Sequence, residues 1–271
     1  NAMARMGALG GCGSRGVLWG NVLHLIGQKP WTGWGWNELK YAHYMANYPG
    51  TRFCDILGNA HNLPLHLAFA FGVPLALAVC LGTLAIVLRA RPWRLTQLHD
   101  SLAWSVLAMI VLHSLLEYPL WYSPFQLALL WSIVLLWPTG HTAMARLRSG
   151  LQALGTGSLC LIALIAWDYQ RVRQIYLPPV LRSTLWQDDP WGAARRTWFF
   201  GHAVRFAEVT STPVTTVNAH DLLNASLQAL HYSPEPRVID KVIDSARLLG
   251  QDRLADAHQA QKQAVYGQSA D

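Results

Sequence analysis

The stretch LPLHLAFAFGVPLALAVCLGTLAIVL, Leu63 to Leu88, holds no Asp, Glu, Lys or Arg. A helix of roughly 20 apolar residues, rising about 1.5 Å per residue, crosses a bilayer, so this stretch is long enough to span one with some tilt. Three more apolar runs follow: Ser101 to Leu116, continuing into Tyr118, Leu120 and Trp121; Phe125 to Trp137; and Leu151 to Trp167. Any one of them alone fits a buried core helix. Four in succession, almost free of charge, read as membrane spans. The chain is 52% hydrophobic and 13% charged, against about a quarter charged in an ordinary soluble domain. That balance excludes a disordered chain and argues against a soluble enzyme. Thirteen tryptophans are present, and Trp93, Trp121, Trp137 and Trp167 fall at span ends, as an aromatic belt requires.

The net charge of +6 is unevenly placed. From Asp168 onward there are eleven Lys/Arg and eleven Asp/Glu, while the first 167 residues carry ten basic and four acidic groups. The excess therefore sits among the apolar runs, where it reads as membrane topology and not as a nucleic-acid surface. Arg89, Arg91 and Arg94 lie between the first and second runs, and Arg146 and Arg148 between the third and fourth. The loop Glu117–Pro124 has no Lys or Arg. Cytoplasmic loops carry the positive excess. The arginine loops are thus expected in the cytoplasm, and Glu117–Pro124, the first sixty residues and the C-terminal tail on the far side.

Ahead of the first run, Ser14 to Gly27 has an N-cap candidate in Ser14 and apolar Val17, Leu18, Val22 and Leu25 at helical spacing. Lys29-Pro30 ends that helix, and Pro30 to Trp36 reads as a rigid aromatic turn; such a segment is expected to lie on the membrane surface. Beyond Asp168 the chain turns soluble in character, with helical patterns near Asp189–Val209, Val217–His231, Arg237–Leu249 and Asp252–Tyr266. Gly250 suits a helix C-terminus. Small residues at Ala225, Ala229, Ala246, Ala257 and Ala260 suggest tetratricopeptide-like packing. The expected fold is all-α: about four membrane spans over residues 63–167, preceded by a periplasmic loop with a surface helix over 1–62, and followed by a helical periplasmic tail over 168–271. The opening residues lack the pattern of a signal peptide, and the chain is expected to be the C-terminal portion of a larger membrane protein.

Several residues could carry chemistry. His61 stands just before the first run, where a neutral imidazole can accept a proton from a hydroxyl; the alternative is a capping or interfacial histidine. Asn62 is a candidate helix cap. His113 and Glu117 are four apart and are expected to share a helix face, where they either orient a substrate or satisfy one another. Arg15 follows the cap at Ser14 and can hold a diphosphate bidentately, or face solvent or lipid headgroups instead. His66, Cys80 and Cys160 lie inside apolar runs and read as packing residues, with a haem ligated by His66 and His113 as an outlying option. Cys12, Cys54, Cys80 and Cys160 have no CxxC or zinc spacing, so neither a metal ribbon nor a disulfide scaffold is indicated. No metal or other cofactor is expected. A membrane anchor presenting a helical-repeat tail to partners is the alternative without catalysis.

Three motifs together resemble the bacterial superfamily of O-antigen ligases, O-antigen polymerases and protein O-oligosaccharyltransferases. They are Ser14-Arg15 with Trp19 and Lys29-Pro30-Trp31-Thr32-Gly33-Trp34-Gly35; Ala60-His61-Asn62-Leu63 with Phe71-Gly72-Val73-Pro74; and His113-Ser114-Leu115-Leu116-Glu117-Tyr118-Pro119-Leu120. The last is most similar to the pilin-glycosylating branch. The resemblance implies transfer of a glycan, without a metal, from undecaprenyl diphosphate at the periplasmic face of the inner membrane. The acceptor hydroxyl would belong to a pilin-like protein, lipid A-core or a growing glycan. It maps the essential histidine to His61 and a pyrophosphate-binding arginine to Arg15, with Asn62, His113 and Glu117 nearby. Membrane lipids are the other expected partners, and nucleic acid is not one. Asn59 stands where relatives often have a second histidine. Without the N-terminal helices of the family, the isolated piece is expected to be inactive.

Overall fold

The structure is a computed structural model that describes residues 11–95, 97–136 and 141–267, without the side chains of 141–149 and 151–155. All secondary structure among the described residues is helical. The chain divides into two compact units, Asn1–Trp137 with Gln259–Asp271, and Pro138–His258.

In the first unit, α1 (Arg15–Gln28) starts where the Ser14 hydroxyl accepts the Val17 N–H at 3.3 Å. Its apolar face, Leu18, Val22, Leu25 and Ile26, is buried against Leu39 and Ala42 of α2 (Leu39–Met45) and Phe69 of α3 (Leu63–Phe71). The helix expected on the membrane surface therefore buries that face in protein. The turn after it folds back and brings α3 over α1, which removes this apolar face from any solvent or lipid.

The same turn breaks the stretch that read as one span from Leu63 to Leu88. Gly72 has φ +88° and separates α3 from α4 (Val73–Ala90). The last carbonyls of a helix have no partner within it. Here the Phe69 and Ala70 carbonyls accept the N–H groups of Trp34 (2.8 Å) and Gly35 (3.0 Å), and the Pro30 carbonyl accepts the Val73 N–H at 2.8 Å. Such close backbone approach needs glycine. A Cβ on Gly33 would stand 2.5 Å from the Ala70 carbonyl, and one on Gly72 2.3 Å from the Trp31 oxygen. The Trp34 indole N–H donates to the Leu25 carbonyl at 2.8 Å, and its ring stacks on Phe69. The Pro-x-x-Gly-x-Gly motif is thus the seat on which α3 ends.

Val73–Arg94 remains the one helix among the described residues long and apolar enough, by length and composition, to cross a membrane. Shorter apolar helices follow, α5 (Leu98–Ser114) and α6 (Ser123–Leu135). Their outward residues include Met109, Leu112, Leu127 and Trp131. Trp137, expected at a span end, lies outside the described residues, as do the side chains of Arg146 and Arg148.

A disulfide joins Cys12 to Cys54, with Cα atoms 5.3 Å apart, contrary to the reading that no disulfide is indicated. The two lie 42 residues apart, and nothing local marks them; α1 and the loop before His61 bring them together.

In the second unit, the last turns of α7 (His141–Arg173) carry a buried Asp168, whose Oδ2 accepts the Thr197 hydroxyl (2.6 Å) and the N–H groups of Trp198 and Phe199 (2.9 Å each). That anchor splits the pattern expected near Asp189–Val209 into α8 (Pro190–Arg195) and α9 (Gly201–Ser211). Helices α10 (Ala219–Tyr232) and α11 (Pro236–Leu248) pair through Leu222, Ser226, Ala229, Val238, Val242 and Ala246, all buried. Gly250, at φ +67°, ends α11 as its position suggests. In α12 (Asp252–Tyr266), Ala255 and His258 are buried, whereas Ala257 and Ala260, expected inside, are exposed.

Candidate functional site

The residues before and after α3, α4 and α5 meet at one carboxylate. Glu117 Oε1 accepts the Arg15 guanidinium at 2.5 Å, and its Oε2 lies 2.7 Å from His61 Nδ1. An ionised carboxylate only accepts, so the facing ring nitrogen is the one that carries hydrogen. In the neutral imidazole this leaves Nε2 with its lone pair free to take a proton.

Local structure holds each member. Arg15 is the first residue of α1 and follows its cap. His61 has φ +49°, in the left-handed region, which costs a non-glycine residue free energy but which His tolerates more often than most. Three contacts hold it there. Asn59 Oδ1 accepts the His61 N–H at 2.9 Å, Trp19 Nε1 donates to the Ala60 carbonyl at 3.0 Å, and the Tyr118 ring stands edge-on to the imidazole at 4.8 Å. Asn62 caps α3 through its Oδ1, which accepts the Leu65 N–H at 2.9 Å, and its Nδ2 donates to the Leu115 carbonyl at 2.9 Å. It therefore ties the start of α3 to the end of α5. Asn59 positions His61 through the His61 backbone N–H.

The expected His113–Glu117 face does not form. Helix α5 ends at Ser114, so Glu117 lies in the turn beyond it, and only the Glu117 N–H meets His113, at its carbonyl (2.8 Å). The His113 ring packs edge-on to Phe125 at 5.3 Å. The carboxylate instead turns to the strong donors that reach it among the described residues, Arg15 and His61. His66 is buried edge-on to the stacked rings of Trp36 and Trp121, and its Nδ1 has no hydrogen-bond partner among the described residues. No cluster of three or more His, Cys, Asp or Glu able to hold a metal occurs among the described residues.

Behind the site, His43 is buried between the Tyr48 hydroxyl (2.8 Å from Nδ1) and the Phe53 carbonyl (3.1 Å from Nε2). Burial, with the nearby Arg52 guanidinium, lowers its pKa to about 4. Arg52 donates to the His43 (2.5 Å) and Ala46 (2.6 Å) carbonyls at the end of α2, where a cation suits the helix dipole.

Residues 101–271 match the family described as virulence factor membrane-bound polymerase, C-terminal, and residues 1–80 match O-antigen ligase. The chain belongs to the O-antigen ligase and oligosaccharyltransferase superfamily. It is similar to the general O-oligosaccharyltransferase of Acinetobacter baylyi, with 26% identity over 185 residues, 66% of this chain and 31% of that protein. The chain thus spans about a third of the length of the curated relative it matches. No solved structure matches it. Within this superfamily chain, Arg15 and His61 come from the segment matched to O-antigen ligase and Glu117 from the segment matched to the polymerase C-terminus. Sequence reasoning singled out these three separately; it read Trp121 as an aromatic-belt residue and Trp36 as part of the aromatic turn, and missed that they and Tyr118 come together beside His61.

Proposed function

We propose that this chain is the part of a bacterial inner-membrane glycosyltransferase that moves a glycan from undecaprenyl diphosphate to an acceptor hydroxyl at the periplasmic face. The acceptor is a hydroxyl of a pilin-like protein, lipid A-core or a growing glycan. One observation carries the reading: a single carboxylate, Glu117, holds both the Arg15 guanidinium and the His61 imidazole. In the reaction, His61 Nε2 takes the proton of the acceptor hydroxyl as its oxygen forms a bond to the anomeric carbon. The bond from that carbon to the phosphate oxygen breaks, and the diphosphate leaves with the electron pair. Glu117 stabilises the imidazolium formed at His61. Arg15, with further N–H donors beside the one on Glu117, stabilises the charge on the leaving diphosphate. Asn62 fixes the approach of the two helix ends. His113, whose ring packs on Phe125, has no part in this step.

The membrane arrangement supports the same reading. With Arg89, Arg91 and Arg94 in the cytoplasm, α4 and α5 make two passes, and the segments bearing His61 and Glu117 return to one side, as their hydrogen bond demands. The Cys12–Cys54 disulfide suits an oxidising compartment on that side. The remaining apolar helices complete about four spans, and α8 to α12 form a tetratricopeptide-like periplasmic tail that offers its surface to the acceptor.

The test is transfer from a synthetic polyprenyl-diphosphate glycan by the full-length protein in detergent. His61→Ala lowers kcat by roughly 10²–10⁴-fold with no rescue by donor. Arg15→Lys keeps the charge but loses the planar fork, so it raises the donor KM and is partly rescued by more donor. Near-normal turnover by His61→Ala refutes the general-base role.

A further inference from the structure

One feature of the site goes unused by proton transfer. A continuous series of ring contacts runs away from His61: Tyr118 on His61 at 4.8 Å, Trp121 on Tyr118 at 6.3 Å, Trp36 stacked on Trp121 at 5.7 Å, and Phe71 stacked on Trp36 at 5.7 Å. Tyr122 stacks on Tyr118 at 5.6 Å. These rings are not a closed core: Trp36 is 48% exposed, Trp121 40% and Tyr122 52%. Elsewhere in the same unit, the indole N–H groups of Trp19 and Trp34 donate to the carbonyls of Ala60 and Leu25. No such bond holds the N–H of Trp36 or Trp121 among the described residues. His66 lies edge-on to both indoles, 96% buried, and its Nδ1 has no partner among the described residues.

We infer that this wall is a carbohydrate-stacking subsite, which holds a pyranose ring of the glycan while its neighbour reacts at His61. The inference rests on the glycan-transfer reading above and names what that site grips. A pyranose presents C–H groups on its faces and hydroxyls around its rim. The C–H faces match the negative faces of indole and phenol rings, and the hydroxyls match the two free indole N–H groups. A hydrocarbon occupant would satisfy the ring faces but leave these indole donors without partners, which is costly away from water. Continuity decides the position as well. Tyr118 touches both His61 and the rest of the wall, so a ring seated on Trp121 lies one step from the reacting hydroxyl or anomeric carbon. Pockets that bind small polar ligands combine such aromatic walls with a few placed polar groups.

The probe is chitotriose, added to this chain in detergent and followed by saturation-transfer difference NMR. Saturation is expected to concentrate on the C–H protons of one ring face, to fall roughly 2- to 10-fold in Trp36→Leu and Trp121→Leu, and to persist in Trp36→Phe and Trp121→Phe. Trp36, half exposed, is the substitution least able to disturb folding, and helicity by circular dichroism accompanies each variant. Equal saturation in the Leu variants, or none in the unaltered chain, overturns the subsite. A second arm places the chain in nanodiscs with doxyl-labelled lipid. Quenching of the wall indoles equal to that of Trp131, 64% exposed on α6, assigns the wall to lipid and overturns the inference. The transfer assay separates the two readings. In the full-length protein, Trp36→Leu raises the KM for glycan and leaves kcat near normal if the wall binds sugar. Unchanged KM with a damaged His61→Ala sinks the wall alone, and normal turnover by His61→Ala with sugar still bound sinks only the general-base role.

Discussion

Replacing Glu117 by Gln tests the centre of the site with the least change of shape. Gln keeps an acceptor for His61 Nδ1 and removes the charge. The cost falls on the step in which His61 becomes an imidazolium. Two opposite charges about 4 Å apart attract by about 4 kcal/mol at an effective dielectric near 20. The side chains of His61 and Glu117 are 32% and 34% exposed, and Arg15 already draws on the same carboxylate, so solvent and the second partner reduce this. About 1.5–3 kcal/mol remains, or roughly 10- to 150-fold in kcat. Stability should hardly change, because the Arg15–Glu117 pair is exposed, 51% and 34%, and such pairs contribute about 0–1 kcal/mol. The assay is kcat and KM for transfer from a synthetic polyprenyl-diphosphate glycan by the full-length protein in detergent, with a melting curve of each variant. A kcat within about threefold of the unaltered protein, in a variant that melts normally, refutes the claim that Glu117 stabilises a charged His61.

Three further outcomes follow from the packing. Gly72→Ala places a methyl 2.3 Å from the Trp31 carbonyl at φ +88° and should destabilise the first unit by about 2–4 kcal/mol, whereas Gly20→Ala, with nothing within 4 Å, should be neutral or slightly stabilising; chemical unfolding of the detergent-solubilised chain compares them. Cys12→Ser removes a cross-link over 42 residues, worth about 4 kcal/mol in the chain-entropy estimate; it frees the segment three residues before Arg15, so melting temperature and donor affinity should both fall, and a reductant should reproduce the effect in the unaltered chain only. His43 binds its proton in the folded state only near pH 4 but near pH 6.5 when unfolded. Between those values the unfolded chain holds more protons, so stability is fully present above about pH 6.5 and falls as pH drops toward 4, by up to about 3 kcal/mol; His43→Gln should flatten the melting temperature between pH 7 and 4.5, and an unchanged slope removes His43 from the account.

What the sequence determined by itself is what depends on neighbours a few residues apart. Apolar runs of helical length, the cap at Ser14, the cap at Asn62 and the stop at Gly250 are local, because a cap hydrogen bond closes within three residues and a helix face repeats within four. The motifs around Arg15, His61 and Glu117 could be picked out for the same reason, each within its own short segment. Tertiary structure decided the rest. Gly72 interrupts an otherwise continuous apolar run because the turn Pro30–Trp36 docks there and takes the helix-end carbonyls of Phe69 and Ala70; from residues 63–88 alone, a glycine in a long apolar helix carries no such instruction. Glu117 has His113 at helical spacing, yet its helix ends at Ser114 and its carboxylate pairs with groups 56 and 102 residues away. The Cys12–Cys54 bond and the wall from Tyr118 to Phe71 arise the same way. Local chemistry can name a donor and an acceptor, but which pair meets is set by the packing that brings distant segments within hydrogen-bond reach.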